Sequence, residues 1–205
     1  GGVVRMAGSV PFLVFLGPGL IVMAMAQNAF ANTSSSVVIA KVQGNIVDVL
    51  MPPLSPLEMA VAYVGGGVTR GMFVGVVTGI AIWAFVPLGI HSPAYILFHG
   101  LMASMMLAQL GMIGGIWSEK FDHIAAFTNF VVTPLTFLSG TFYSVDHLAP
   151  AFRAFSHVNP FFYVISGFRY GFLGTADSPV LTGSVVILAL DVALATLCYV
   201  LLRRG

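Results

Sequence analysis

Hydrophobic residues in this chain come in long unbroken blocks. Runs such as VVILALDVALATLCYVLL (185–202) show no alternation of apolar and polar positions. A helix of about 20 apolar residues crosses a hydrocarbon core about 30 Å thick. Backbone groups in lipid must be paired internally, which leaves helices or a closed barrel. Barrel strands alternate over about ten residues, and these runs do not. The blocks predict five spanning helices, at residues 19–40, 57–86, 94–117, 123–141 and 180–202, with Pro18-Gly19 near the outer end of the first. The fold class is all-α, a polytopic transmembrane bundle read as one domain over 1–205.

Residues 142–176 break the pattern. They are too polar for a straight span, with Asp146, His147, Pro150, Arg153, His157 and Arg169. They are also crowded with aromatic side chains, from Phe142 and Tyr143 to Tyr170 and Phe172. Aromatic residues gather at membrane–water interfaces. The segment predicts two short helices, split at Asn159-Pro160, that dip into the outer leaflet as a re-entrant hairpin before the last span. On this reading Ser156 is reachable by a reagent added outside the cell.

Composition agrees with the pattern. Of 205 residues, 58% are hydrophobic and 7% charged, against about 25% charged in soluble domains; the mean hydropathy is +0.98. A net charge of +1, without a basic run or acidic tail, gives no footprint for nucleic acid. The one cysteine, Cys198, excludes an internal disulfide. Lys and Arg in the loops set orientation. Lys41, Lys120, Arg203 and Arg204 lie on one side, and Arg5, Arg153 and Arg169 on the other. The first group is placed in the cytoplasm, which puts Gly1 outside. An odd number of spans with an outside start and no leader pattern carries the expectation that a first N-terminal span is absent from this chain.

Catalytic chemistry has little to build on. There is no G-x-x-x-x-G-K-[ST], since the lysines follow Ala40 and Glu119, so no P-loop can form. No C-x-x-C or H-E-x-x-H occurs, the five histidines are scattered, and no nucleophile stands beside a base. Neither a catalytic residue, a metal nor a cofactor is expected. The loop KVQGNIVDVLMPPLSP (41–56) places polar Gln43, Asn45 and Asp48 against apolar Ile46, Val47 and Leu50, and residues 45–51 fit a short amphipathic helix stopped at Pro52. It reads either as an interfacial connector or as a lever for a cytoplasmic partner. Gly67, Gly71, Gly75 and Gly79 recur every fourth residue, which sets them on one helix face and allows close packing in lipid.

Arg70 and Asp191 are charges inside spans, a costly placement that marks function or an ion pair. Arg70 lies twelve residues beyond Glu58 and Asp191 twelve before Arg203. At 1.5 Å per residue each is about 18 Å in from its marker. That matched depth predicts a shared polar environment, with a structural pair and a substrate path both open.

The stretch TPLTFLSGTFYSVDHLAPAFRAFSHVNPFFYVISGFRYGFLG (133–174) resembles the hallmark region of type-2 ATP-binding-cassette (ABC) export permeases, of the nodulation-factor and polysaccharide export kind. The resemblance rests on Leu138-Ser139-Gly140, on Phe142-Tyr143 and on Asn159-Pro160 ahead of the last span. Residues 40–56 are similar to the family's coupling helix, with its continuation at Leu50 to Ser55, and the likeness runs over 12–202. It implies six spans per subunit, a homodimer or paired permease in membrane lipid, and separate ATPase subunits. Gln43, Asn45, Asp48, Leu50 and Pro52 would couple to the ATPase, and Phe142, Tyr143, Asn159 and Pro160 would form an outer gate. The expected function is the permease subunit of an ATP-driven exporter in the bacterial inner membrane, moving a lipid-linked glycan, lipo-oligosaccharide or drug-like molecule. A secondary transporter and a non-transport membrane scaffold are the alternatives; the first usually shows internal repeats, and none is visible here.

Overall fold

The computed structural model describes residues 6–7, 10–44, 54–141, 156 and 158–204. A two-residue antiparallel pairing of β1 (Met6–Ala7) with β2 (Val10–Pro11) precedes a helical bundle. The helices are α1 (Phe12–Val42), α2 (Pro56–Trp83), α3 (Pro93–Trp117), α4 (Phe121–Phe127), α5 (Thr133–Thr136), α6 (Pro160–Leu173) and α7 (Val180–Arg204). Four of them, α1, α2, α3 and α7, are each long and apolar enough to cross a bilayer.

Helix α1 starts seven residues before the predicted span, so Pro18 lies inside it rather than at its mouth. A proline costs a helix one N–H bond and crowds the preceding turn. Membrane helices accept this where neighbours surround the break, and here Gly17, Pro18 and Gly19 are all buried. Helix α2 begins at a full capping box. Ser55 Oγ accepts from Glu58 N at 3.2 Å while Glu58 Oε2 accepts from Ser55 N at 2.7 Å, with Pro56 at the first helical position. These contacts satisfy orphan donors and fix where the span begins.

The fourth predicted span is helical from Phe121 to Thr141 but not uniformly so. Two π-helical stretches, Thr128–Val132 and Phe137–Thr141, flank α5. Pro134 sits between them, and its missing donor and ring leave the local ladder to slip to wider spacing. Hydroxyls return to the chain: Thr128 Oγ1 donates to Ile124 O at 2.8 Å and Thr136 Oγ1 to Val132 O at 2.8 Å. Of the expected re-entrant pair, the second helix is α6; the first falls outside the described residues except for Ser156 and Val158.

Glycine faces on two helices bring their neighbours against α1. On α2, a Cβ at Gly67 would clash with Thr33 Oγ1, and one at Gly71 would lie 3.0 Å from Met25 O. On α3, a Cβ at Gly111 would stand 2.6 Å from Phe30 O, and one at Gly115 2.9 Å from Val37 Cβ. Helix α1 is therefore enclosed by α2 and α3, with α6 completing its cover near Phe15. At the opposite end, Lys41 Nζ donates to Gly115 O at 2.9 Å, to Ser118 O at 3.2 Å and to Ile116 O. A cation on the free carbonyls of a helix C-terminus satisfies groups that would otherwise lack partners and complements the helix dipole.

Close packing of this kind predicts a matched contrast. Gly67→Leu is expected to destabilise the bundle by about 1–3 kcal/mol through overpacking. Gly65→Leu meets open space, since nothing lies within 4 Å of a Cβ there. Thermal unfolding in detergent should separate the two. Equal losses would mean that the close face is not what joins α2 to α1.

Candidate functional site

The polar and charged groups inside the bundle fall into three separate places. The first is α6 with its two caps. Asn159 caps this helix: its Oδ1 accepts from Phe161 N at 3.1 Å and its Nδ2 donates to Leu135 O at 2.8 Å, tying the cap to α5. Pro160 takes the first helical position, where no N–H is needed. Gly174 closes the helix in a left-handed conformation, φ 71°. Ser139, in the Leu138-Ser139-Gly140 turn, and Thr141 just after it are buried, and a Cβ at Gly19 would lie 3.1 Å from Thr141 O. That turn is thereby seated on α1 beside Pro18.

Within α6, Arg169 is 2% exposed and its Nη1 donates to Asp177 Oδ2 at 2.6 Å. Its guanidinium also lies 3.8 Å above the Phe15 ring of α1, a cation–π geometry. Ser166 Oγ accepts from the backbone N–H of Asp177 and of Ser178, each at 3.1 Å. These bonds hold the link into α7. Gly167 and Gly171 let α6 press against α3: a Cβ at Gly167 would clash with the His99 ring, and one at Gly171 would stand 2.6 Å from Ile96 Cγ1. Sequence reasoning placed Arg169 only as an outer-side charge and missed Ser166, Gly167, Gly171 and Asp177 as a unit. The small residues of SGFRYGFLG (166–174) at helical spacing were the available signal.

The second place is the interface of α3 and α7. His99 is fully buried, bonds Tyr95 O through Nδ1 at 3.0 Å, and meets Ser184 Oγ through Nε2 at 3.3 Å. Cys198 Sγ contacts Gln109 O at 3.6 Å. Asp191 is seven residues from each of Ser184 and Cys198, so it lies on the same stripe of α7. It is fully buried, and neither carboxylate oxygen has a hydrogen-bond partner among the described residues.

The third place is the seam between α1 and α2. Arg70 is exposed, and its Nη1 donates to Asn32 Oδ1 at 3.4 Å. The expected meeting of Arg70 with Asp191 is therefore absent from this structure: no ion pair joins them. The physical reason is angular. Arg70 leaves α2 on the side of α1, whereas the Asp191 stripe of α7 faces α3. Depth matching from sequence carries no information about which way a helix is turned.

Of the four glycines at fourfold spacing, Gly67, Gly71 and Gly75 are buried in contact with α1 or α3, while Gly79 has nothing nearer than Ile21 Cδ1 at 3.7 Å. Gly75 and Gly79 line an apolar cavity of about 430 Å³, with Ile21, Met25, Trp83 and Phe168 among its walls. That volume is within the range of small-molecule pockets. The expected coupling positions Asn45, Asp48, Leu50 and Pro52 lie outside the described residues, as do the gate positions Phe142 and Tyr143. Gln43 is described and forms the C-cap of α1. Ser156, expected to be accessible, is buried at 1% exposure with its Oγ 3.4 Å from Leu138 O; Val158, two residues on, is 82% exposed.

Comparison with known proteins settles the class of molecule. The family described as ABC-2 type transporter matches residues 3–173. The chain belongs to the ABC-2 type transporter permease family. It is 42% identical over 195 residues to the inner membrane transport permease YadH of Escherichia coli (strain K12), covering 95% of this chain and 76% of that protein. The same protein of Shigella flexneri matches equally well. Nodulation protein J of Neorhizobium galegae is 21% identical over 168 residues, 82% of this chain and 64% of that protein. The chain is thus a multi-pass inner-membrane permease, the membrane subunit of a transporter, and ABC-2 permeases work with an ATPase subunit in ABC transporters.

The Arg169–Asp177 pair yields a double-mutant test. Asp177→Ala should destabilise the protein by on the order of 3 kcal/mol, because it removes the carboxylate facing a buried guanidinium. Asp177→Ala made in an Arg169→Met background should cost much less. Additive losses in thermal unfolding would show that the pair is not energetically coupled.

Proposed function

We propose that this permease is the membrane half of an ATP-driven exporter, with hydrolysis on a separate ATPase subunit, and that it works as a homodimer or paired permease. The observation that carries the reading is family membership over residues 3–173 in a chain whose two lysines sit in no nucleotide-binding motif. The coupling contact is proposed for residues 43–52. Support for this comes from the Lys41 clamp, which ties the start of that loop to the end of α3, so force applied there reaches two spans together. The outer aromatic segment ahead of Asn159-Pro160 is proposed as the gate. A lipid-linked glycan, a lipo-oligosaccharide or a drug-like amphiphile is the proposed cargo, the apolar cavity being suited to an acyl or ring system.

Charge reversal at Asp48, or Leu50→Asp, should leave the permease folded and bound in the membrane while abolishing transport-linked ATP hydrolysis by the reconstituted complex. Unchanged ATPase stimulation in both variants would remove the lever from the loop. For orientation, Val158→Cys in a Cys198→Ser background is expected to react with an impermeant thiol reagent on intact cells. Labelling only in opened cells would invert the proposed topology.

A further inference from the structure

Two polar side chains are shut inside the contact between α3 and α7 without partners. Asp191 is fully buried and Gln109 is 3% exposed. Among the described residues, neither the Asp191 carboxylate oxygens nor Gln109 Oε1 has a hydrogen bond. The bundle itself encloses both, so no further segment and no second copy reaches them while the helices keep these positions.

Asp191 shares its stripe of α7 with buried Ile187 and Cys198. Gln109 stands three and four residues before Met112 and Ile113, which pack with Cys198, so it lies on the face of α3 that meets α7. Two contacts fix the antiparallel register: Ser184 Oγ with His99 Nε2 at 3.3 Å, and Cys198 Sγ with Gln109 O at 3.6 Å. Asp191 is seven residues from each of Ser184 and Cys198. It therefore stands opposite the middle of the α3 stretch from His99 to Gln109, about five residues, or on the order of 7 Å, short of Gln109. That stretch, HGLMASMMLAQ, has one hydroxyl between its ends, Ser104. Ser104 Oγ is turned to α2, where it would lie 2.7 Å from a Cβ at Gly71. The arginines of the neighbouring helices are engaged elsewhere, Arg169 with Asp177 and Arg70 with Asn32.

An amide suits a carboxyl in either protonation state: its N–H donates to a carboxylate, and its oxygen accepts from a carboxylic acid. Each polar group left unpaired in a packed interior costs free energy, and one shared hydrogen bond removes both costs. Helices that ratchet past a neighbour by one turn are a recurring form of switching. Buried Met102, Met106 and Met112 give α3 soft side chains that repack readily. We propose that Asp191 and Gln109 are hydrogen-bonded partners in a second arrangement of the permease, reached when α7 moves by about one turn, ~5 Å, toward the C-terminal end of α3. The move parts Ser184 from His99 and brings it opposite Met102. It requires only a transporter that changes arrangement, and depends on neither ATP coupling nor the identity of the cargo.

The test is disulfide trapping in membranes, with the full-length permease in a Cys198→Ser background. His99→Cys with Ser184→Cys reports the present arrangement, and Met102→Cys with Ser184→Cys reports the second. Both disulfides are expected under mild oxidation without added nucleotide, each within one copy. Asp191→Leu should slow the second disulfide by roughly tenfold, the loss of about one hydrogen bond between buried groups. It should not slow the first, which also shows that the variant folds. Gln109→Leu should act alike, the double variant should lose no more than either single one, and Asp191→Asn should keep most of the rate. Three results overturn the proposal. One is a second disulfide that fails to form while the first does. Another is a rate indifferent to Asp191 and Gln109, or lowered additively by their loss. The third is an equal slowing by Arg70→Gln, which would make Arg70 the partner of Asp191.

Discussion

The backbone of α1 is approached from two sides by helices that carry glycine where they meet it, and the rest of the bundle is arranged around that contact. Lipid offers no hydrophobic drive for helices to associate, so attraction between spans comes from close packing and hydrogen bonds. Gly67 and Gly71 on α2, and Gly111 and Gly115 on α3, bring those helices within van der Waals reach of α1 carbonyls and side chains. Large side chains at these positions would hold the spans apart and leave Phe30, Met106 and Met112 with fewer neighbours. Because α1 is enclosed in this way, it can carry Pro18 in its interior and polar residues along its remaining open side.

Two clamps fix the ends of this arrangement. At the C-terminal end of α1, Lys41 gathers three carbonyls from the end of α3 and the residue after it. At its N-terminal end, Arg169 and Asp177, with Ser166 holding the chain between, fasten α6 and the start of α7 over Phe15 of α1. Lys41 places its charge at a helix end that exposes unsatisfied carbonyls, and the buried Arg169 is offset by the Asp177 carboxylate and the Phe15 ring. Asp191 is different: it sits deep between α3 and α7 with no partner among the described residues. A transporter must pass through more than one arrangement of its helices, and polar groups left without partners in one arrangement are natural places for contacts made in another.

The seam holding Arg70 and Asn32 is polar and open, whereas the cavity near Trp83 and Phe168 is apolar. On α1 the cavity is walled by Ile21 and Met25, which share a stripe with Asn28 and Asn32.

Much of the fold was legible in the chain because lipid imposes a simple rule. Backbone polar groups must be paired inside each segment, so a long apolar block reads directly as a helix, and every predicted span has its helical counterpart. Helix limits set by local chemistry were legible too: Ser55 with Glu58, Asn159 with Pro160, and Gly174 act within one turn of chain. The exact path of the fourth span was not, because the π-helical turns around Pro134 depend on which neighbours receive the displaced carbonyls. The candidate sites divide along the same line. Sequence counted residues along each helix and so gave Arg70 and Asp191 their matched depths. It could not give the rotation of each helix about its axis, which is decided by where the glycine faces find their partners. Only the packed bundle turned Arg70 toward Asn32 and Asp191 toward α3, and buried Ser156 while leaving Val158 outside.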